Sequence, residues 1–348
     1  MRRHSAIPLA ATAVVVVGLA ACGASARSTS AGNAPLPAAD GATVASAAPP
    51  KGASGAPCGA AGAEVLARSA GVVATRIYAG ELSGSETRID QRQVEGFSPL
   101  LNALAGGNRS AIREAVTSLV YSHTHVVRLR VTRGSSVLAD IGGPYILAPV
   151  GGTLRLHGRA IGRYLLSVQD DLGYVKLATR FIGAPVVMRA GSHPLPVAGL
   201  LMPGPPSIPA HGPVTYRHTR YEAFSFNARA FPSGPLRISL LLPAPTSLSK
   251  QSCAQIRTTE LGRIAQRISR RFALSPSSFA TYIKLTRTLT GALIYIRSGS
   301  SQLAGSTRPG PARLPASGSV GYRGVTYGVS SFAAPTAVGP ARIFALVR

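Results

Sequence analysis

Negative charge is scarce in this chain: 12 Asp and Glu stand against 37 Lys and Arg, for a formal net charge of +25. Lysine is scarce as well, confined to Lys51, Lys176, Lys250 and Lys284, so nearly all the positive charge is arginine. A planar guanidinium grips carboxylate or phosphate through two parallel hydrogen bonds, which points to an anionic surface or ligand. The basic residues are not gathered into short runs, so the same charge also reads as solvated faces of a compositionally biased chain. Long apolar runs are missing too. Past the first 22 residues none approaches the roughly 18 to 20 that a membrane-spanning helix needs. Neither a G-x-S-x-G elbow nor a phosphate-binding or dinucleotide-binding glycine loop is present. The expectation is a non-enzymatic protein without a cofactor.

The first residues give an address. Arg2 and Arg3 precede a short apolar stretch from Ala11 to Gly18, and Leu19-Ala20-Ala21-Cys22 follows. This is the layout of a secretory signal peptide over residues 1–21, and it resembles the bacterial lipoprotein lipobox. The resemblance implies that Cys22 is lipidated and becomes the mature N-terminus, anchoring the chain on the extracytoplasmic face of a cell membrane. Export makes nucleic acid a poor partner, and anionic lipid headgroups or wall polymers better ones. With Cys22 committed to lipid, Cys58 and Cys253 remain. An even pair in an oxidising compartment is expected to form a disulfide.

Residues 22–57 are mostly Ala, Gly, Ser, Pro and Thr, too poor in bulky apolar side chains to offset their ordering entropy, and read as a tether. Apolar residues at helical spacing predict a helix over residues 62–79, and a second over 110–120 with Asn108 or Ser110 as N-cap. Residues 125–132 and 137–141 alternate at period two around Arg133-Gly134-Ser135-Ser136, which predicts a hairpin. A strand over 160–168 runs into Asp170-Asp171 and a short helix from Leu172 to Phe181.

The second half repeats part of the first. Tyr174-Val175-Lys176-Leu177 recurs as Tyr282-Ile283-Lys284-Leu285, and Gly183 through Ser192 recurs as Gly291 through Ser300. Tyr216-Arg217, Tyr221 and Ser225-Phe226 recur as Tyr322-Arg323, Tyr327 and Ser331-Phe332. Gly234-Pro235 recurs as Gly339-Pro340. Cys58 and Cys253 fall in matching places, each ahead of a long helix carrying Glu64 or Glu260. The organisation expected is a main domain over 58–243, a linker over 244–252 and an abbreviated repeat over 253–348. The hairpin at 125–141 and the strand at 160–168 have no counterpart in the repeat.

This order of elements, carried mainly by VVRLRVTRGSSVLADIGGPY and GRYLLSVQDDLGYVKL, resembles the Cache family of extracytoplasmic sensor domains. The resemblance implies an α+β fold, a PAS-like antiparallel sheet flanked by helices, with a ligand held against one sheet face. It also implies a separate membrane receptor partner, because the chain shows no output segment of its own.

Arg128 and Arg130 share a strand face at period two. With Asp140, Tyr145 and Tyr174 near them, they are the candidate clamp for a small anionic metabolite. Ion pairing with Asp140, Asp170 and Asp171 on a solvated face is the other reading of the same residues. Asp170-Asp171 fits a helix N-terminus better than an acid/base pair. His123 and His125 form H-x-H with no Cys, Asp or Glu at ligand spacing, so no metal is expected. Ser247-x-x-Lys250 matches a penicillin-recognising motif, but it sits in a proline-rich linker with no K-T-G strand after it. The repeated Tyr-Arg hairpins read as packing and turn geometry, or as a symmetric recognition surface.

Overall fold

The computed structural model describes residues 56–122, 125–144, 146–191, 193–195, 204–232 and 234–348. The signal-like segment with Cys22, nearly all of the tether, His123 and Tyr145 lie outside the described residues. The fold is α+β, as expected, and the described residues form three antiparallel sheets flanked by helices, two of them in the part where one sheet is expected. Among the described residues no helix is long and apolar enough to cross a membrane.

The first part opens with α1 (Gly62–Ser83), α2 (Ser85–Gly96), α3 (Ser98–Ala105) and α4 (Arg109–Ser122). Asn108 caps α4, its Oδ1 accepting from the Ala111 N–H at 3.1 Å. The predicted hairpin is β1 (Arg128–Arg133) with β2 (Ser136–Gly142), followed by β3 (Ile146–Leu147), β4 (Val150–Leu156), β5 (Arg159–Ser167) and β6 (Gln169–Asp170). Strands β2-β1-β5-β4 form one sheet, and α3 and α4 cover it through a core that includes Leu100, Leu104, Ile112, Val116, Leu119 and Leu129.

The second part runs α5 (Asp171–Ile182), β7 (Val186–Ala190), β8 (His193–Pro194), β9 (His211–Tyr216), β10 (Thr219–Phe231) and β11 (Gly234–Pro243). The third runs α6 (Cys253–Ser269), α7 (Pro276–Thr290), β12 (Leu293–Ser298), β13 (Ser301–Gly305), β14 (Ser317–Tyr322), β15 (Val325–Thr336) and β16 (Gly339–Val347). Their strand orders correspond: β8-β7-β11-β10 with β9 beside β10, and β13-β12-β16-β15-β14. The sequence repeat is therefore a structural one. α1 and α5 of the first copy match α6 and α7 of the second, and residues 84–170 are the part only the first copy carries.

The correspondence reaches individual contacts. Tyr174 and Tyr282 are both fully buried, and each donates its hydroxyl to a long-helix carbonyl, Ala74 at 2.9 Å and Ala265 at 3.2 Å. α5 and α7 stop at Gly183 and Gly291, whose φ of 78° and 74° are left-handed cap positions that favour glycine. Arg76 and Arg267 lie against these two glycines, each reaching from the other copy's long helix. Arg76 donates to the Leu289 carbonyl at 3.0 Å, and Arg263 to Ile182 at 3.1 Å, so each copy satisfies the helix C-terminus of the other. α1 approaches β10 closely at Gly71, where a Cβ would strike the Phe224 ring; Gly262 meets Ser330 in the same way.

Both copies share one large core, with Val73, Ile77, Ile182, Ile238, Ile264, Ile268 and Ile343 in a single cluster. The outer sheet faces carry matched smaller clusters, Val187, Ala223 and Leu241 against Tyr295, Val329 and Leu346.

Three details differ from the sequence reading. Residues 85–96 form a helix although only Ile89 and Val94 are bulky and apolar. β4 forms despite Gly151-Gly152. The long helices align as Gly71 with Gly262 and Ala74 with Ala265, so Cys253 matches Gly62 and Glu260 matches Ser69. Cys58 and Cys253 are thus not equivalent positions; packing against the sheets sets the helix register, and the cysteine and glutamate spacings only approximate it. They do form a disulfide, with a Cα–Cα distance of 4.9 Å, tying the starts of α1 and α6 together.

Candidate functional site

The structure brings Arg128, Arg130 and Asp140 together and satisfies them internally. β1 and β2 pair Arg130 with Asp140 and place Arg128 two residues away on the same face. Arg128 holds the Asp140 carboxylate with both Nε (2.7 Å) and Nη2 (2.9 Å), and Arg130 reaches it at 2.7 Å. Both guanidiniums also stack on the Phe231 ring, 4.6 and 4.0 Å from its centroid. An incoming anion would have to displace Asp140. The cluster works as a fastener between the hairpin and the end of β10. Tyr174 is not beside it: its ring is buried against α1, edge-on to Tyr78 at 6.4 Å. Asp170 is the N-cap of α5, accepting from the Gly173 N–H. His125 lies 3.8 Å from Glu86.

Burial raises the Asp140 pKa, but the hydrogen bonds and charges of Arg128 and Arg130 outweigh it and hold the carboxyl below its usual range. A depressed folded-state value means that this group's contribution is fully present above about pH 4 and is lost as pH falls through the folded pKa. Asp140→Asn, which leaves two guanidiniums without their counter-charge, is expected to cost about 2 kcal/mol at pH 7, below the fully buried case because the cluster is partly exposed. Urea melts at pH 7 and pH 3 check this, and the gap between variant and wild type should shrink at the lower pH.

The repeated residues are also structural. Arg189 donates to the carbonyls of Pro205 and, at 2.6 Å, Pro206; Arg297 does the same to Pro311 and, at 3.1 Å, Ala312. Ser225 and Ser331 bond Pro209 at 2.9 Å and Ala316 at 2.7 Å. These pairs pin the proline-rich connections against their sheets. Arg217 and Arg323 sit at left-handed turn positions over Tyr216 and Tyr322, which is turn geometry.

Unpaired charge gathers elsewhere. Lys176, Thr179 and Arg180 on α5 face Arg267, Arg270 and Arg271 at the end of α6 across a cleft of about 410 Å³. Lys176, Thr179 and Arg180 share one face of α5 at i, i+3, i+4 spacing, while Arg267 lies in the last turn of α6 and Arg270 and Arg271 follow at its C-cap. No carboxylate lines this cleft, and among the described residues none of its five cations is in an ion pair. Burial, then repulsion from Arg263, lowers the Arg267 pKa against the opposing attraction of Glu260, and Arg270 adds a smaller repulsion. An arginine guanidinium keeps its charge throughout the physiological pH range. Two of these cations have no counterpart in the other copy, since Arg270 and Arg271 correspond to Ala79 and Gly80 of α1, whereas Arg267 corresponds to Arg76 and also packs on Gly183. Acidic residues are rare in this part of the chain, with only Glu222 and Glu260 after Asp171. Sequence reasoning missed the cleft because its two halves lie about ninety residues apart. The available signals were the paired spacings and the recurrence of Lys176 as Lys284.

No protein-family profile matches the chain, and no curated protein does. Among solved structures, the periplasmic domain of Vibrio cholerae LuxQ aligns at 14% identity and TM-score 0.33, over 53% of this chain and 98% of that one. The ligand-binding domain of the Pseudomonas fluorescens chemoreceptor CtaA, in complex with L-alanine, aligns at 12% identity and TM-score 0.31, over 53% and 99%. The ligand-binding domain of Mlp24 with asparagine aligns at 10% identity and TM-score 0.28, over 51% and 95%. Likeness at this level assigns no ligand.

Proposed function

We propose that this chain is an exported, non-enzymatic ligand-binding protein of sensory type, held at the membrane through lipid on Cys22. It takes a small anion into the cleft between α5 and α6, and occupancy is read by a separate membrane partner. The observation that carries this reading is the set of five cations facing one another with no carboxylate among them. Such a cluster is destabilised by its own repulsion, and an anion relieves it while gaining several charge-assisted hydrogen bonds. Export is supported by the Cys58–Cys253 bridge, since disulfides persist in oxidising compartments.

Calorimetric titration with citrate and with pyrophosphate at physiological salt tests the proposal. The expected result is one site per chain, weakened at least tenfold by Arg180→Ala with Arg271→Ala, because each hydrogen bond to a charged group is worth about 1.5–3 kcal/mol. Both residues are exposed, so the fold should survive. Absence of saturable binding to either anion would remove the cleft reading. Cys22→Ala should release the chain from the membrane fraction, and retention would remove the anchor. A second reading, an interaction lipoprotein gripping wall polymer or anionic lipid, is favoured by the net charge of +25. Salt-sensitive polymer binding that survives the double substitution would support it instead.

A further inference from the structure

A second cavity lies in the second copy. It is a groove of about 850 Å³ between one face of α7 and the edge strand β13. That volume falls in the range of small-molecule sites. Phe279 and Ile283 are buried in its floor, with half-buried Leu303 and Ala304 beside them, and none of these side chains can hydrogen-bond. Val338 at its end is 52% exposed. Exposed Lys284, Arg287 and Arg308 line the groove as well, and among the described residues no carboxylate pairs with them. The chain has no Asp or Glu after Glu260, so this copy supplies no counter-charge from its own later sequence.

We infer that this groove binds a single-chain amphiphile with one anionic head. An alkyl chain covers the apolar floor, which water solvates poorly, while a carboxylate or phosphate monoester meets the three cations at the rim. A purely polar anion leaves the floor wet, and a neutral or cationic detergent leaves the rim unpaired or opposed. An acidic peptide would have to bring apolar side chains at the spacing of the floor. Binding here is independent of the α5–α6 cleft, which shares no residue with the groove.

Calorimetry with monomeric dodecyl phosphate and dodecanoate, below their micelle concentrations, tests this. The expected result is one bound molecule per chain, with dodecyl maltoside and dodecyltrimethylammonium at least tenfold weaker. Ile283→Glu, which puts a carboxylate into the floor, should abolish binding. Arg287→Ala with Arg308→Ala alters only exposed side chains and should weaken binding at least tenfold, even if the Ile283 variant fails to fold. Arg180→Ala with Arg271→Ala should leave it unchanged, which separates the two sites. Equal binding of the neutral detergent, no effect of the Arg287 and Arg308 substitutions, or binding of hexaglutamate in place of both alkyl anions would overturn the inference.

Discussion

Replacing Cys58 and Cys253 together with serine should lower the unfolding free energy by about 4–5 kcal/mol, the largest effect expected of any change outside the core. The bridge spans 195 residues. Closing a loop that long removes much of the unfolded chain's freedom, although the gain grows only as the logarithm of length. The location adds to the effect. The bridge holds the start of α1 against the start of α6, beside the Cys58 N–H that donates to the Gln251 carbonyl at 2.7 Å. These two helices lie at the centre of the shared core, so the whole interface between the copies depends on their register. Urea denaturation with and without reductant provides the check. Reduction should bring the wild type down to the variant and leave the variant where it is. A loss under 1 kcal/mol would mean that noncovalent packing alone sets the interface.

Tyr174→Ala should cost about 3–5 kcal/mol, and Tyr282→Ala nearly as much. Each ring is fully buried, and each hydroxyl bonds a carbonyl of its own copy's long helix. Burial pushes both phenols far above their ordinary pKa, so each hydroxyl remains a proton donor throughout the accessible pH range. Truncation leaves a cavity where α5 meets α1, or α7 meets α6, and the surroundings can close it only in part. Tyr→Phe at either place keeps the ring and should cost about 1 kcal/mol, the net worth of one hydrogen bond. Chemical melts of the four variants measure these differences. If one tyrosine proved dispensable, the two copies would not be held by equivalent contacts.

Periodicity made much of this fold legible. Val73, Ile77 and Tyr78 mark the buried side of α1, and alternation from Val127 to Val131 marks the hairpin, because both patterns report burial on a single face. α2 was illegible for the same reason. It is polar nearly all round, and Thr87, Asp90 and Val94 are its only buried residues. The repeat was legible because Gly183 and Gly291, Arg189 and Arg297, and Tyr174 and Tyr282 perform fixed geometric tasks that few other residues can. Its helix register was not, since α1 and α6 are matched by small residues at the sheet contact and not by their cysteines and glutamates. The candidate clamp was half legible: strand alternation put Arg128 and Arg130 on one face, but only the fold shows Asp140 held between them and Tyr174 in another core. The α5–α6 cleft depends on two helices meeting in space, which no local pattern encodes.

Arginine footprinting tests the central claim most directly. An arylglyoxal reagent modifies accessible guanidiniums, and mass spectrometry reads each site with and without pyrophosphate. The account predicts that pyrophosphate slows modification of Arg180, Arg267, Arg270 and Arg271 by several-fold and leaves Arg217 and Arg323 at their original rates. Uniform slowing across all six would contradict it, showing that the charge of this chain is a diffuse surface and not a site.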